Sequence, residues 1–368
     1  MKILFLCTTD SMIWNFLVPH IKRLENDGCQ VSCAASETGF YYNELVEKGI
    51  DMHKIPFHRS PYNLSNLTAY KQLCSLFKKE KYDVVFCHEP VGGVMGRLVG
   101  KRYGCKVIYM AHGFHFYKGA PRISKLYYFV EKILSRKTDL LITINQEDYE
   151  ASLKFHAKKN VLVNGIGVDT SKFKSYETDY LRTKYDLPHD AIILLSVGEL
   201  IERKNHLSII KAMESFKEEN VFYFIAGDGP LEGKLTEYIE EHGLHNQVKL
   251  LGFCRNINEL CNSCDIYVFP SVQEGLSLAL MEAMSCAKPV VASRIRGNVD
   301  LIKDDEFLVD TYDVNGYVEA IRKMMIDSTL MKRMGMTNKE RVEKYDVKIV
   351  EDKLAELILN DNVNEKSC

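Results

Sequence analysis

Short apolar runs rich in β-branched residues recur along the whole chain, each followed by a stretch with helical spacing of its apolar positions. That alternation leaves few architectures open, because a strand, a crossover helix and a further strand build a parallel sheet. The strands predicted for the first half are Ile3–Cys7, Val31–Ala35, Val84–His88, Lys106–Ala111 and Leu140–Asn145. Ile192–Val197, Phe222–Ala226, Gln247–Leu251, Ile266–Pro270 and Pro289–Ala292 repeat the pattern in the second, without close sequence repetition. The expected fold is therefore α/β, with two doubly wound parallel-sheet units facing a cleft that suits a ligand. A length of 368 residues agrees with two cores. The junction is expected in Val163-Asn-Gly-Ile-Gly-Val-Asp169, where Gly165 and Gly167 permit unusual backbone angles. This gives domains over 1–165 and 166–345. Residues 346–368 are expected to form a helix that crosses back to the first domain, ending in a polar tail frayed from Asn360.

Composition narrows the class. With 46% hydrophobic and 27% charged residues the chain reads as globular rather than disordered. No apolar run approaches the roughly 18 residues of a membrane span, and Met1-Lys2 leads directly into a strand without a cleavage pattern. A cytoplasmic placement follows as the expectation. The 11 cysteines are scattered, and Cys7, Cys33, Cys87, Cys105 and Cys286 fall in apolar segments where a reduced thiol acts as a small hydrophobe. Cys261-Asn-Ser-Cys264 is a lone pair without a second pair at zinc spacing, so no metal is expected. Net charge is −2, yet residues 1–165 carry +8 and the remainder −10. The first half suits an anionic neighbour; no nucleic-acid-binding signature accompanies that charge.

Candidate site residues cluster after predicted strands. In Glu274-Gly-Leu-Ser-Leu-Ala-Leu-Met-Glu282 the spacing predicts a helix opening at Gly275, with Glu282 a little over two turns on, near the azimuth of the helix start. The amides of Gly275, Leu276 and Ser277 would then lie at a helix N-terminus, which favours an anion such as a diphosphate. Val197-Gly-Glu-Leu-Ile-Glu-Arg-Lys-Asn-His206 puts Gly198 in a turn and Arg203 and Lys204 at a predicted helix start. Cations there oppose the helix dipole, which an anionic ligand explains. Ile225-Ala-Gly-Asp-Gly-Pro230 reads as a tight strand-to-helix turn set by backbone shape, with direct ligand contact the other reading. In the first half, His112 ends the strand of Tyr109-Met-Ala-His-Gly-Phe-His-Phe116 and His115 follows three residues on. Asp10, after the first strand, is expected to cap a helix or to approach an acceptor hydroxyl.

Taken in order, Asp83-Val-Val-Phe-Cys-His-Glu-Pro90, Gly96-Arg-Leu98, Ala111-His-Gly113, Val197-Gly-Glu199 with Arg203-Lys204, Gly227-Asp-Gly-Pro230 and Glu274 to Glu282 resemble the family 4 glycosyltransferases of GT-B fold. The resemblance runs from residue 1 to about residue 345, and His-Gly-Phe-His-Phe with Thr143-Ile-Asn145 is similar to the branch that builds bacterial capsule and exopolysaccharide. It implies a retaining transferase that needs no metal and takes a nucleotide-diphosphate sugar, with UDP-hexose or UDP-N-acetylhexosamine the first expectation. By that resemblance Glu274 and His112 would contact the donor sugar, Glu282 the ribose, and Arg203 and Lys204 the diphosphate. The segment Gly252-Phe253-Cys-Arg255 would border the base. Two departures stand out: Thr8-Thr-Asp-Ser-Met12 replaces a glycine-rich loop, and Asn205 replaces the glycine common after the lysine.

The aromatic and basic stretch Tyr117–Lys137 could lie on an anionic membrane face, which would fit a polyprenyl-diphosphate-linked acceptor; a saccharide acceptor is the other expectation. A nucleotide-sugar 2-epimerase and a non-catalytic nucleotide-sugar sensor are the alternative functions.

Overall fold

The computed structural model describes residues 1–38 and 41–360; the predicted tail beyond Asn360 lies outside the described residues. Two compact units divide the chain, one of Met1–Gly167 with the segment from Val347 onward, the other of Val168–Asp346. The divisions thus fall at 167/168 and 346/347, two residues and one residue beyond the expected positions.

The first unit is a seven-stranded sheet: β1 (Lys2–Thr9), β2 (Gln30–Ser36), β3 (Asp51–Lys54), β4 (Val84–His88), β5 (Lys106–Ala111), β6 (Leu140–Thr143) and β7 (Lys159–Leu162), in the order β3-β2-β1-β4-β5-β6-β7. Every pairing is parallel. The chain order reverses between β1 and β4, and an open α/β sheet offers its ligand crevice at that reversal. Close packing of the Pro90–Arg102 helix on β4 and β5 depends on a glycine stripe. A Cβ on Gly96 would come within 2.6 Å of the Cys87 Cβ, and one on Gly100 within 2.4 Å of a Val85 methyl.

Residues Asp10–Asn26 form one helical passage with a π turn over Ile13–Leu17. Pro19 explains the turn: it has no N–H to give, and the ladder absorbs the loss by widening. The Val18–Asn26 helix packs against Val347–Leu359, tied by Arg23 Nε donating to Asp352 at 2.9 Å.

The second unit carries β8 (Ile192–Val197), β9 (Val221–Ala226), β10 (Val248–Leu250), β11 (Ile266–Phe269), β12 (Val290–Ser293) and β13 (Leu308–Val309), ordered β10-β9-β8-β11-β12-β13 and parallel throughout. Its reversal lies between β8 and β11. Apolar residues fill both faces of this sheet, as crossover helices on both sides require. Among the described residues no helix is long and apolar enough to cross a membrane.

Candidate active site

At the reversal of the second sheet, the loops after β8 and β11 are stitched together. Val272 N–H donates to the Arg203 carbonyl at 2.8 Å, and Asn205 Nδ2 donates to the carbonyls of Pro270 and Thr311 at 3.1 and 2.9 Å. Asn205 has φ 52°, a left-handed conformation that suits glycine first and asparagine next, so the replacement keeps the turn and adds two bonds. Further glycines allow the loops to touch. A Cβ on Gly227 would sit 2.0 Å from the Gly198 carbonyl oxygen, and one on Gly297, at φ 80°, would sit 2.3 Å from that of Gly275. Gly227 is thus held to glycine by the neighbouring Gly198 backbone.

This scaffold brings Arg203, Lys204 and Glu274 together. Arg203 Nη1 and Lys204 Nζ each donate to the same Glu274 oxygen, Oε1, at 2.8 Å, and Arg203 also reaches the Gln273 carbonyl at 3.0 Å. Two cations share one carboxylate, leaving excess positive charge beside the carboxyl end of β8. Lys204 is held from below: its ammonium lies 5.1 Å from the Phe269 ring centre and its stem rests on Gly198. Arg203 is the more exposed of the two. Arg296, after β12, was missed in the sequence; its buried Nε donates to the Glu274 carbonyl at 3.0 Å and fixes the loop's course. An arginine just past a predicted strand and before Gly297-Asn298 was the available signal.

Three expectations need correction. The helix opens at Leu278, not Gly275, because Ser277 caps it by accepting the Leu280 N–H at 3.3 Å. Gly275 and Leu276 precede the cap in loop conformation, and Glu274 stands outside the helix, so the azimuth argument linking it to Glu282 does not hold. Arg203 and Lys204 occupy a single 3₁₀ turn, Glu202–Lys204, ahead of the His206–Ala212 helix. Phe253 and Arg255 lie on the loop after β10, where Gly227 N–H donates to the Gly252 carbonyl at 2.8 Å, and Phe253 is 67% exposed.

At the reversal of the first sheet, three histidines gather. His88 ends β4, His112 follows β5, and His20 comes from the Val18–Asn26 helix. His88 Nδ1 and His112 Nε2 are 3.0 Å apart, and His20 Nε2 donates to the Ile166 carbonyl at 2.9 Å. Burial holds His20 and His112 down to about 4, and His88 well below the usual histidine range, so all three are neutral near pH 7. Glu89 reaches across the reversal and accepts the Thr8 and Thr9 N–H groups at 2.8 and 3.3 Å. Asp10 is fully buried and is the first helical residue rather than the cap; its carboxylate takes both the N–H and the hydroxyl of Thr38, and the Ser11 N–H. His115 does not join His112. Its exposed ring lies 5.0 Å from that of Tyr127.

Comparison with known proteins identifies the family. Residues 2–145 match the family model "Glycosyl transferase 4-like" and residues 177–341 match "Glycosyl transferases group 1", one in each unit. A putative glycosyltransferase of Bacillus subtilis, EpsD, is 34% identical over 370 residues, covering 97% of this chain and 96% of its own. The chain belongs to the group 1, family-4-like glycosyltransferases. An Escherichia coli relative described as UDP-Gal:alpha-D-GlcNAc-diphosphoundecaprenol alpha-1,3-galactosyltransferase is 29% identical, covering 82% of each chain. Among solved structures, Anabaena HepE in complex with UDP superposes with a TM-score of 0.83 at 20% identity, covering 98% of this chain and all of that one. The fold is GT-B, and the protein is a glycosyltransferase enzyme.

In this glycosyltransferase Glu282 lies within the Leu278–Ser285 helix, whereas Glu274 lies on the loop ahead of its cap. Burial pushes its carboxyl up to about 7, opposed only by the charge of Lys172. The folded value lies above the unfolded one, so the proton bound in the folded state contributes stability that is complete below about pH 4.5 and lost as pH rises through about 7. Glu282→Gln removes that loss. The variant's stability relative to wild type, and with it its relative Tm, is expected to rise from pH 5 to pH 8, the free-energy gap approaching roughly 3 kcal/mol at most. A gap independent of pH in thermal melts would remove the assignment.

Proposed function

We propose that the enzyme is a retaining hexosyl- or N-acetylhexosaminyltransferase that takes its sugar from a UDP donor and builds a lipid-linked surface polysaccharide. The observation that carries this reading is the shared Glu274 oxygen with Arg203 and Lys204 at the second sheet's reversal. An incoming diphosphate competes for both cations, releasing Glu274 toward the sugar hydroxyls, while Gly275, Leu276 and the Ser277 cap offer backbone dipoles beside it. His112 is assigned to a donor-sugar hydroxyl, the Phe253–Arg255 loop to the base and Glu282 to the ribose. The names of the Escherichia coli relative and of the HepE complex, with UDP-Gal and UDP, support the choice of base.

In the transfer itself, the acceptor hydroxyl attacks the anomeric carbon on the face from which the diphosphate departs. The bond from that carbon to the diphosphate oxygen breaks, and the acceptor's proton passes to a departing diphosphate oxygen. No protein base is required, and the leaving charge is met by Arg203, Lys204 and the loop amides.

A lipid-linked acceptor is favoured by an apolar cavity of about 510 Å³ within the first unit. Val91, Met95, Phe114, Phe116 and Tyr127 line it together with Arg59. Beside it the Ser124–Leu134 helix exposes Leu126, Phe129, Val130 and Ile133 among Lys125 and Lys132, a surface suited to a bilayer interface carrying anionic lipid. The peripheral membrane placement rests on that surface. Incubation with UDP-sugars and a polyprenyl-diphosphate-linked monosaccharide should yield UDP and an elongated lipid with the donor's anomeric configuration kept. Donor epimerised without acceptor, or donor bound without UDP release, would replace this reading with the epimerase or the sensor. Salt-sensitive pelleting with anionic vesicles, weakened in Phe129→Ser/Ile133→Ser, checks the membrane surface.

A further inference from the structure

His88 serves no role in the transfer described above, yet its ring is wholly buried between Phe5 and Phe86, with centroids 5.9 and 4.3 Å away. One nitrogen, Nδ1, meets His112 Nε2 at 3.0 Å, and the other, Nε2, is buried with no hydrogen-bond partner. Exactly one proton can lie between two neutral imidazoles at that distance, so fixing the proton of one ring fixes that of the other. Two arrangements exist. In one, His112 Nε2–H donates, and His88 is left with a buried N–H facing no acceptor. In the other, His88 Nδ1–H donates, and the buried orphan is a bare lone pair. Orphaned N–H groups are the rarer defect. His20, in the same cluster, has its N–H committed to the Ile166 carbonyl, so its own buried unpartnered nitrogen, Nδ1, is the bare one.

We propose that His88 is a positioning residue: by donating Nδ1–H to His112 Nε2 it fixes the tautomer and plane of His112, leaving His112 Nδ1–H as the donor offered to the substrate. His112 Nδ1 has no partner among the described residues, and His112 keeps partial exposure, as such a role needs. The inference rests on the assignment of His112 to the donor sugar for its catalytic consequence, but the tautomer itself does not.

The test separates the two. Long-range ¹⁵N–¹H spectra of the ligand-free, histidine-labelled full chain, with the His112 signals assigned by their loss in His112→Ala, should show Nδ1 protonated and Nε2 bare. The opposite pattern overturns the proposal, whatever the activity. In kinetics, His88→Asn can place an amide N–H where Nδ1 stood and should keep kcat within about threefold of wild type. His88→Phe removes the donor and should lower kcat on the order of 10- to 100-fold, by analogy with loss of the outer partner of a metal-ligating histidine, with the donor KM little changed. Equal losses in both variants, or none in His88→Phe, overturn the positioning role. Full activity in His112→Ala would instead sink the functional assignment while leaving the spectral result to stand alone.

Discussion

Lys204→Ala should lower kcat/KM for the proposed UDP-sugar donor by about 10²- to 10³-fold, the largest catalytic loss expected of any single change in the second unit. The size follows from preorganisation. The ammonium is fixed by Glu274 Oε1 at 2.8 Å, by the Phe269 ring and by a stem lying on Gly198, so little reorganisation is needed when charge develops on the leaving group. Arg203, 41% exposed along its side chain and partly screened by water, should cost less, about tenfold on replacement by alanine. Lys204→Arg should not rescue, since a planar guanidinium cannot fill the slot of a point charge between Gly198 and Phe269. Glu274→Gln should act mainly on kcat, because it frees both cations for the diphosphate while weakening the grip on the sugar. Steady-state kinetics with UDP titrations decide the matter; a Lys204→Ala enzyme within threefold of wild type would remove the cation pair from the mechanism.

Much of this site could be read in the sequence because each member follows a strand whose apolar run is unmistakable. Arg203 and Lys204 follow β8, Glu274 follows β11 and His112 follows β5, and central strands buried on both faces leave continuous apolar runs. The strands that escaped notice are β3, β7 and β13, all at sheet edges. Asp51–Lys54 contains a single apolar residue, Met52, because an edge strand with one neighbour need not be apolar throughout. The helix start was misplaced for another reason. Spacing locates a helical face but not its first turn, which here is fixed by the Ser277 hydroxyl. Arg296 and His88 touch the Glu274 carbonyl and His112, partners distant in sequence, so a position just past or at the end of a strand marks each residue without revealing what it contacts.

Arg97→Ala should destabilise the first unit by about 3–5 kcal/mol, the range for stripping one partner from a buried ion pair. Arg97 is 1% exposed; its two terminal nitrogens donate to the two Glu131 oxygens at 2.6 and 3.1 Å, and its Nε donates to the Gly93 carbonyl at 2.8 Å. Its guanidinium also lies 4.1 Å from the Tyr109 ring centre, so each of its nitrogens donates a hydrogen bond and its plane is packed on an aromatic ring. Removing it leaves the Glu131 carboxylate buried without a counter-charge. The double change Arg97→Met/Glu131→Leu deletes both charges and should recover most of the loss, because the pair's attraction is largely offset by its desolvation. Thermal and denaturant melts of the three proteins measure this; equal destabilisation in the single and double variants would show that packing rather than charge governs the site. The pair also has a functional consequence. Glu131 belongs to the Ser124–Leu134 helix, so Arg97 anchors the surface assigned to the membrane, and Arg97→Ala should weaken vesicle binding while the double variant keeps it.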